Sequence, residues 1–177
     1  MGRLVASKSP EILIDAIARV SEMDTPPFTL ELVGDGAARP MMEQLIIERN
    51  LSKRVSFAGW VGPPDLIDHY RCADMFVTST AWEGMANTVL EAMACGLPVV
   101  GTNAPGMDQL VTDGQNGYLV PVGDAAALAD RIYRLLDNAH ERNRMGRESR
   151  KIAESQFSWS FIAEQYVDVY QRIINGQ

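Results

Sequence analysis

The sequence predicts an α/β domain: a single Rossmann-like, doubly wound parallel sheet of about six strands, with extra helices at its C-terminal end. Strand-like and helix-like segments alternate along the first two thirds, the pattern of strands joined by covering helices. Beyond Asp124 only helical stretches remain. At 177 residues, 46% hydrophobic and without internal repeat or linker, the chain reads as one domain, 1–177, able to bury a sizeable core.

The elements follow in order. A short strand over 3–6 leads to a helix over 10–23, with Ser9 as N-cap and Pro10 in the first turn. Ile12, Ile14, Ala16, Ile17 and Val20 mark its apolar face. A strand over 28–33 ends in Gly34, Asp35 and Gly36, and a helix through Met41, Met42, Leu45 and Ile46 stops near Asn50. The glycine pair lacks the third glycine of a dinucleotide fingerprint and reads as a tight turn. Strands over 55–58 and 75–78 flank a short helix over 65–72. A loop carrying Glu83, a helix beginning near Ala86 and a strand over 97–100 come next. A helical piece over 107–111, a loop over 113–117 and a last strand over 118–120 precede helices over 124–137, 139–155 and 159–175. The opening strand is short for a parallel sheet, as if the chain entered partway along a strand in the manner of an excised domain.

A formal charge of −7 and pI near 4.8 argue against a nucleic-acid partner. No apolar run approaches the roughly 20 residues of a membrane span. Cys72 and Cys95 sit in apolar helical patterns and read as free buried thiols. His69 and His140 lie far apart with no carboxylate or cysteine cluster, so no metal site is expected.

The stretch 82–100, WEGMANTVLEAMACGLPVV, is the most informative. Glu83 and Glu91 stand eight positions apart across a loop entering a helix. A helix start near Ala86 presents free backbone N–H groups, which together with the helix dipole favour an anion. Glu91 lies about a turn and a half further on. One carboxylate can then take hydroxyls at one end of an elongated ligand and the other those at its far end, with phosphate between. Eleven glutamates in the chain make such a spacing unremarkable by itself, and solvated helix glutamates are the alternative.

With these pieces in order, the chain resembles the C-terminal, donor-binding lobe of GT-B fold glycosyltransferases, most closely glycosyltransferase family 4. The resemblance is carried by GRLVASK at 2–8, LVGDG at 32–36, RVSFAGWV at 54–61, CADMFVTST at 72–80, EGMANTVLEAMACGLPVVGT at 83–102, DGQNGYLVPVGDAAALA at 113–129 and FSW at 157–159. It implies catalytic roles for Arg3, Lys8 and Glu83. Arg3 and Lys8 would neutralise the donor diphosphate as the glycosidic bond breaks, though alone they read more readily as surface charges at a strand end. Glu83 would hold hydroxyls of the transferred sugar and Glu91 those of the ribose. Gly2 and the amides of Met85, Ala86, Asn87 and Thr88 would meet the phosphates, and Gly59, Trp60 and Val61 the base.

The residues after Gly59 offer no carboxylate for a guanine edge, which favours UDP over GDP or ADP. The implied activity is metal-independent, retaining hexosyl transfer from a nucleoside-diphosphate sugar to a glycan, lipid or small-molecule acceptor, as in polysaccharide biosynthesis. No cofactor is expected. The acceptor-binding N-terminal lobe would be a further partner, and the isolated chain inactive without it. The resemblance further implies a cytoplasmic enzyme, with peripheral membrane contact through that lobe. The final aromatic helix would expose an apolar patch toward it. The alternative is a non-catalytic sugar-nucleotide-binding subunit that needs a separate acceptor-binding chain. Against the family pattern, Ser9 replaces a common glycine, Ala86 a glycine or proline, Met85 an aromatic residue and Gln109 a glutamate.

Overall fold

The computed structural model describes residues 1–82 and 86–175. In chain order it has α1 (Pro10–Ser21), β1 (Leu30–Val33), α2 (Arg39–Glu48), β2 (Val55–Gly59), α3 (Leu66–Arg71), β3 (Phe76–Thr78), α4 (Asn87–Ala94), β4 (Val99–Thr102) and β5 (Gly117–Val120). Three helices follow without a strand between them: α5 (Ala125–Asp137), α6 (Ala139–Gln156) and α7 (Trp159–Ile174).

All strand pairing is parallel, but it falls into two hydrogen-bonded sheets, β1 with β2 and β3–β4–β5, rather than one of about six strands. The expected opening strand accounts for the difference. Only Gly2 and Leu4 make ladder-like bonds, donating to the carbonyls of Val33 and Asp35, before the chain folds into a 3-10 turn at Ala6–Lys8. This segment therefore lies between the carboxyl ends of β1 and β3 instead of running the length of the sheet. Of the other expected elements, the piece over 107–111 forms consecutive turns rather than a helix.

Helices cover both faces. Leu13, Ile17 and Val20 of α1 pack with Met42 of α2, Leu128 and Ile132 of α5, and Val100 and Tyr118 from the sheet. On the opposite face Val89, Ala92 and Met93 of α4 meet Val99, Met107, Leu110 and Ala153 of α6. Val99 and Val100 point to opposite faces and both are fully buried, as the two-residue period of a central parallel strand requires. Burying side chains of this size contributes about 1.5–3 kcal/mol each before the entropy of ordering them is set against it.

Helix ends hand the chain to the strands. After α4 the Leu97 amide donates to the Ala92 carbonyl and Gly96 to Met93, with Gly96 at φ +81, a paired-bond C-cap that turns directly into β4. A Cβ on Gly146 would lie only 2.2 Å from the Gly96 carbonyl oxygen, so α6 crosses this corner backbone to backbone. α7 buries no residue. Trp159, Tyr166, Tyr170, Ile173 and Ile174 are all exposed, the apolar patch expected on this helix. Cys72 and Cys95 are free, but Cys72 is exposed and Cys95 half-buried, because they stand at the C-caps of α3 and α4 rather than on the buried faces of those helices.

Gly34 is not simply a tight-turn residue. A Cβ there would fall 1.8 Å from the Gly2 carbonyl oxygen, at φ +130. Gly34→Ala should therefore cost at least about 2 kcal/mol, some 4–8 °C in melting temperature, measured by denaturant and thermal unfolding.

Candidate functional site

The carboxyl ends of β1, β2 and β3 and the start of α4 are stitched side by side. The Gly34 amide at the end of β1 donates to the Gly59 carbonyl at the end of β2, at 2.6 Å. The Gly2 amide donates to Val33 on the other edge of β1, at 2.9 Å. Gly2 in turn faces α4, where a Cβ added to it would lie 3.9 Å from the Thr88 methyl. Predicted residues from three separate segments, Gly2, Gly59 and Thr88 with those beside them, are thereby brought to one end of the domain.

Lys8 closes the 3-10 turn and is half-buried. Its carbonyl and that of Ser9 share the proton of the Ser79 hydroxyl, at 2.9 and 2.8 Å. The Ala81 amide donates to Ser7 at 3.1 Å. The Thr80 hydroxyl donates to Trp82, and Thr102 of β4 donates its hydroxyl to the Thr80 carbonyl. Ser79, Thr80 and Thr102 are all buried. Ser9 adopts φ +42, ψ +55, a left-handed conformation that costs a side-chain-bearing residue roughly 1–2 kcal/mol, so the departure from glycine here carries local strain. Its side chain, expected to cap α1, makes no cap bond, since that backbone turns it away from the α1 amides.

Burial, and then the neighbouring Arg3 charge, hold the Lys8 ammonium below its ordinary pKa. Arg3 itself is exposed. A phosphate placed beside both would relieve the repulsion between them.

α4 starts as the sequence indicated, with Ala86 buried at its N-cap and Asn87 and Thr88 in its first turn. Among the described residues no side chain caps it, and the Val89 amide is the first bonded back, to Ala86 at 2.8 Å. Glu91 lies on the exposed side of the helix and accepts the Tyr70 hydroxyl at 2.7 Å. Tyr70, from α3, is buried against Phe76 and holds that carboxylate in one orientation. Sequence reasoning missed Tyr70, whose signal, an aromatic residue in a short helix, is indistinguishable from core packing. Burial, with the Glu91 bond second, pushes its phenol well above the ordinary value.

Glu83 and Met85 lie outside the described residues. Trp60 and Trp82 are largely exposed at the loops that follow β2 and β3, rather than packed into the core, while Val61 is half-buried. His69 bonds Glu31 of β1 at 2.8 Å, a tie between α3 and the sheet rather than a partner for its own helix's Asp65 and Asp68. Burial pushes the Cys95 thiol up, away from the thiolate a nucleophile needs.

The molecule is thus a doubly wound α/β lobe with two basic side chains, an open helix start and a positioned carboxylate at the carboxyl ends of its strands. It belongs to the family of glycosyl transferases group 1, whose model matches residues 1–152. The lipopolysaccharide core biosynthesis glycosyltransferase LpsE of Rhizobium meliloti is 34% identical over 96% of this chain and 48% of its own length. Anabaena Alr3699/HepE, solved in complex with UDP, superimposes with a TM-score of 0.86 at 28% identity, over 96% of this chain and 48% of its own. Sucrose-phosphate synthase of Thermosynechococcus elongatus does so with a TM-score of 0.87 at 31% identity, over 99% and 45%. The chain spans about half the length of each of these relatives, and its fold is that of a GT-B glycosyltransferase lobe.

Because the folded state holds Tyr70 as a neutral phenol, its contribution to stability is complete below pH 10 and declines as pH rises past the ordinary tyrosine pKa. Tyr70→Phe should cost roughly 1 kcal/mol at pH 8, and this difference from the native chain should shrink by pH 11, measured by urea unfolding at both values.

Proposed function

We propose that this chain is the donor-binding lobe of a glycosyltransferase that moves a hexose from a nucleoside-diphosphate sugar to a glycan, lipid or small-molecule acceptor. The observation that carries the reading is the convergence of the Lys8 turn, Gly2, the α4 start and Glu91 at the carboxyl ends of the strands, where open α/β sheets bind ligands. The diphosphate lies between the α4 amides and the Lys8 and Arg3 cations. A carboxylate fixed by Tyr70 suits a pair of ribose hydroxyls, leaving Glu83 for the sugar. The base rests at Gly59, Trp60 and Val61. UDP is the favoured nucleotide, on the UDP complex of the Anabaena relative and on the absence of a carboxylate between Trp60 and Pro64.

In this mechanism negative charge builds on the diphosphate as the glycosidic bond breaks. Lys8 and Arg3 stabilise it without a metal, and the amides of Ala86, Asn87 and Thr88 add fixed donors that need no reorganisation. The retaining outcome belongs to the same reading. Acceptor binding falls to a second lobe, for which the exposed aromatic face of α7 is the docking surface, so the 177-residue chain binds donor weakly and transfers nothing alone.

Calorimetric titration with UDP, GDP, ADP and uridine tests this. UDP should bind best, Glu91→Ala should weaken it about tenfold, equivalent to ~1.4 kcal/mol, and Arg3→Ala with Lys8→Ala should weaken UDP more while leaving uridine unchanged. A folded chain that binds none of the nucleotides, or whose variants bind UDP as well as the native chain, sinks the donor-site assignment.

A further inference from the structure

At the amino ends of β3 and β4 the surface folds into a recess of about 470 Å³. Arg71 at the end of α3 lines it together with Arg142, Arg147 and Arg150 of α6 and with Cys95 at the C-cap of α4. Asp74 is the one carboxylate in its lining among the described residues. Four of the chain's 16 lysines and arginines thus surround a single opening, in a chain of formal charge −7. Like charges gathered this way repel, and what each guanidinium meets decides whether the recess can hold an anion.

Two of the four already serve helix ends. Arg142 donates to the carbonyls of Leu135 and Leu136 in the last turn of α5 and stands 3.6 Å from Asp74. Arg150 donates to the Ala94 carbonyl in the last turn of α4 and to Glu154, the latter at 2.6 Å. The other two have no such employment. Arg71 is 3.8 Å from Asp68, too far for a hydrogen bond, and both side chains are well exposed. Arg147 is exposed, with no hydrogen bond or ion pair among the described residues. The charges converge on one point of the recess. Burial raises the Cys95 thiol, while Arg71 and Arg150, reaching it from two different helices, pull it back and Glu91 adds a little to the rise.

Guanidinium groups bind oxyanions through paired N–H···O bonds, and a phosphate group has oxygens enough to take several at once. The two uncommitted cations match its double charge, and Asn143 in the same lining offers neutral donors. A lone carboxylate satisfies one guanidinium fork and leaves the second charge unanswered. We propose that the recess is an anion site that takes a phosphate group between Arg71, Arg147 and Arg150. It stands apart from the donor-site reading, which uses none of these residues and concerns the opposite ends of the strands. Free phosphate and the headgroup of a phospholipid share this chemistry, and the test separates them.

Cys95 lines the recess and reports its occupancy once Cys72, the other free cysteine, is removed as Cys72→Ser. Labelling of that chain by dithiobis-nitrobenzoate, a dianionic disulfide, is compared with labelling by neutral dithiodipyridine. Each forms a mixed disulfide with the Cys95 thiolate and releases one aryl thiolate. Inorganic phosphate at about 10 mM should slow the dianionic reagent roughly threefold or more relative to chloride at the same ionic strength. Arg71→Gln with Arg147→Gln, both at exposed positions, should label about fivefold more slowly with the dianionic reagent, keep the rate with the neutral one and lose the phosphate effect. Protection by phosphate alone, lost in the double variant, supports the site with a free ligand. Protection by phosphatidylcholine vesicles containing phosphatidic acid, absent with phosphatidylcholine alone and lost in the double variant, supports it with a headgroup. No protection by phosphate or vesicles beyond matched chloride, or protection undiminished in the double variant, would overturn the proposal.

Discussion

Three buried hydroxyls hold the turn Ala6–Lys8 in place, and the geometry at the carboxyl ends of the strands depends on where that turn sits. Ser79 accounts for the carbonyls of Lys8 and Ser9, Thr80 reaches the carbonyl of Ser7 at 3.4 Å as well as that of Trp82, and Thr102 accounts for the carbonyl of Thr80 itself. Each link ties one segment to the next, from the opening turn to the end of β3 and on to β4. A carbonyl buried without a partner costs about 1–3 kcal/mol, so the network is stable only when the turn is docked. Docking fixes the Lys8 backbone beside the helix start of α4, and it does so while accepting the left-handed backbone of Ser9.

The same end of the domain relies on close approach elsewhere. The segment that carries Arg3 passes over Gly34 with no room for a side chain. α6 meets the α4–β4 corner through Gly146, and α4 is stopped sharply at Gly96 so that β4 begins at once. These contacts set the position of α4 along its axis, and with it the position of its unpaired first turn and of Glu91. The carboxylate is then trimmed into one orientation by Tyr70, a residue of the core that keeps its polar tip at the surface of the site. Packing and site geometry are therefore one problem here: the residues that close the core also aim the groups gathered at the carboxyl ends of the strands.

Much of this was legible in the sequence. The start of α4 near Ala86 and the three terminal helices follow from the pattern of helical and strand-like segments, and Lys8 and Glu91 stand in the blocks that carry the family resemblance. The roles of Ser79, Thr80 and Thr102 were not legible, because small hydroxyl residues after a strand are as common in solvent-facing turns as in buried networks. Tyr70 and the His69–Glu31 contact join residues 21 and 38 positions from their partners, and no local pattern encodes such pairings. The division into two sheets traces to the opening segment, which ladders onto β1 only through Gly2 and Leu4 before turning at Ala6–Lys8.

The most direct measurement is phosphorus NMR of UDP titrated with the native chain and with Ser79→Ala. If the hydroxyl network holds Lys8 at a diphosphate site, the β-phosphorus resonance shifts on binding to the native chain, and Ser79→Ala, still folded by circular dichroism, binds about tenfold more weakly. Equal affinity and an identical shift in both chains would contradict the account, since the turn that Ser79 anchors would then have no part in holding the phosphate.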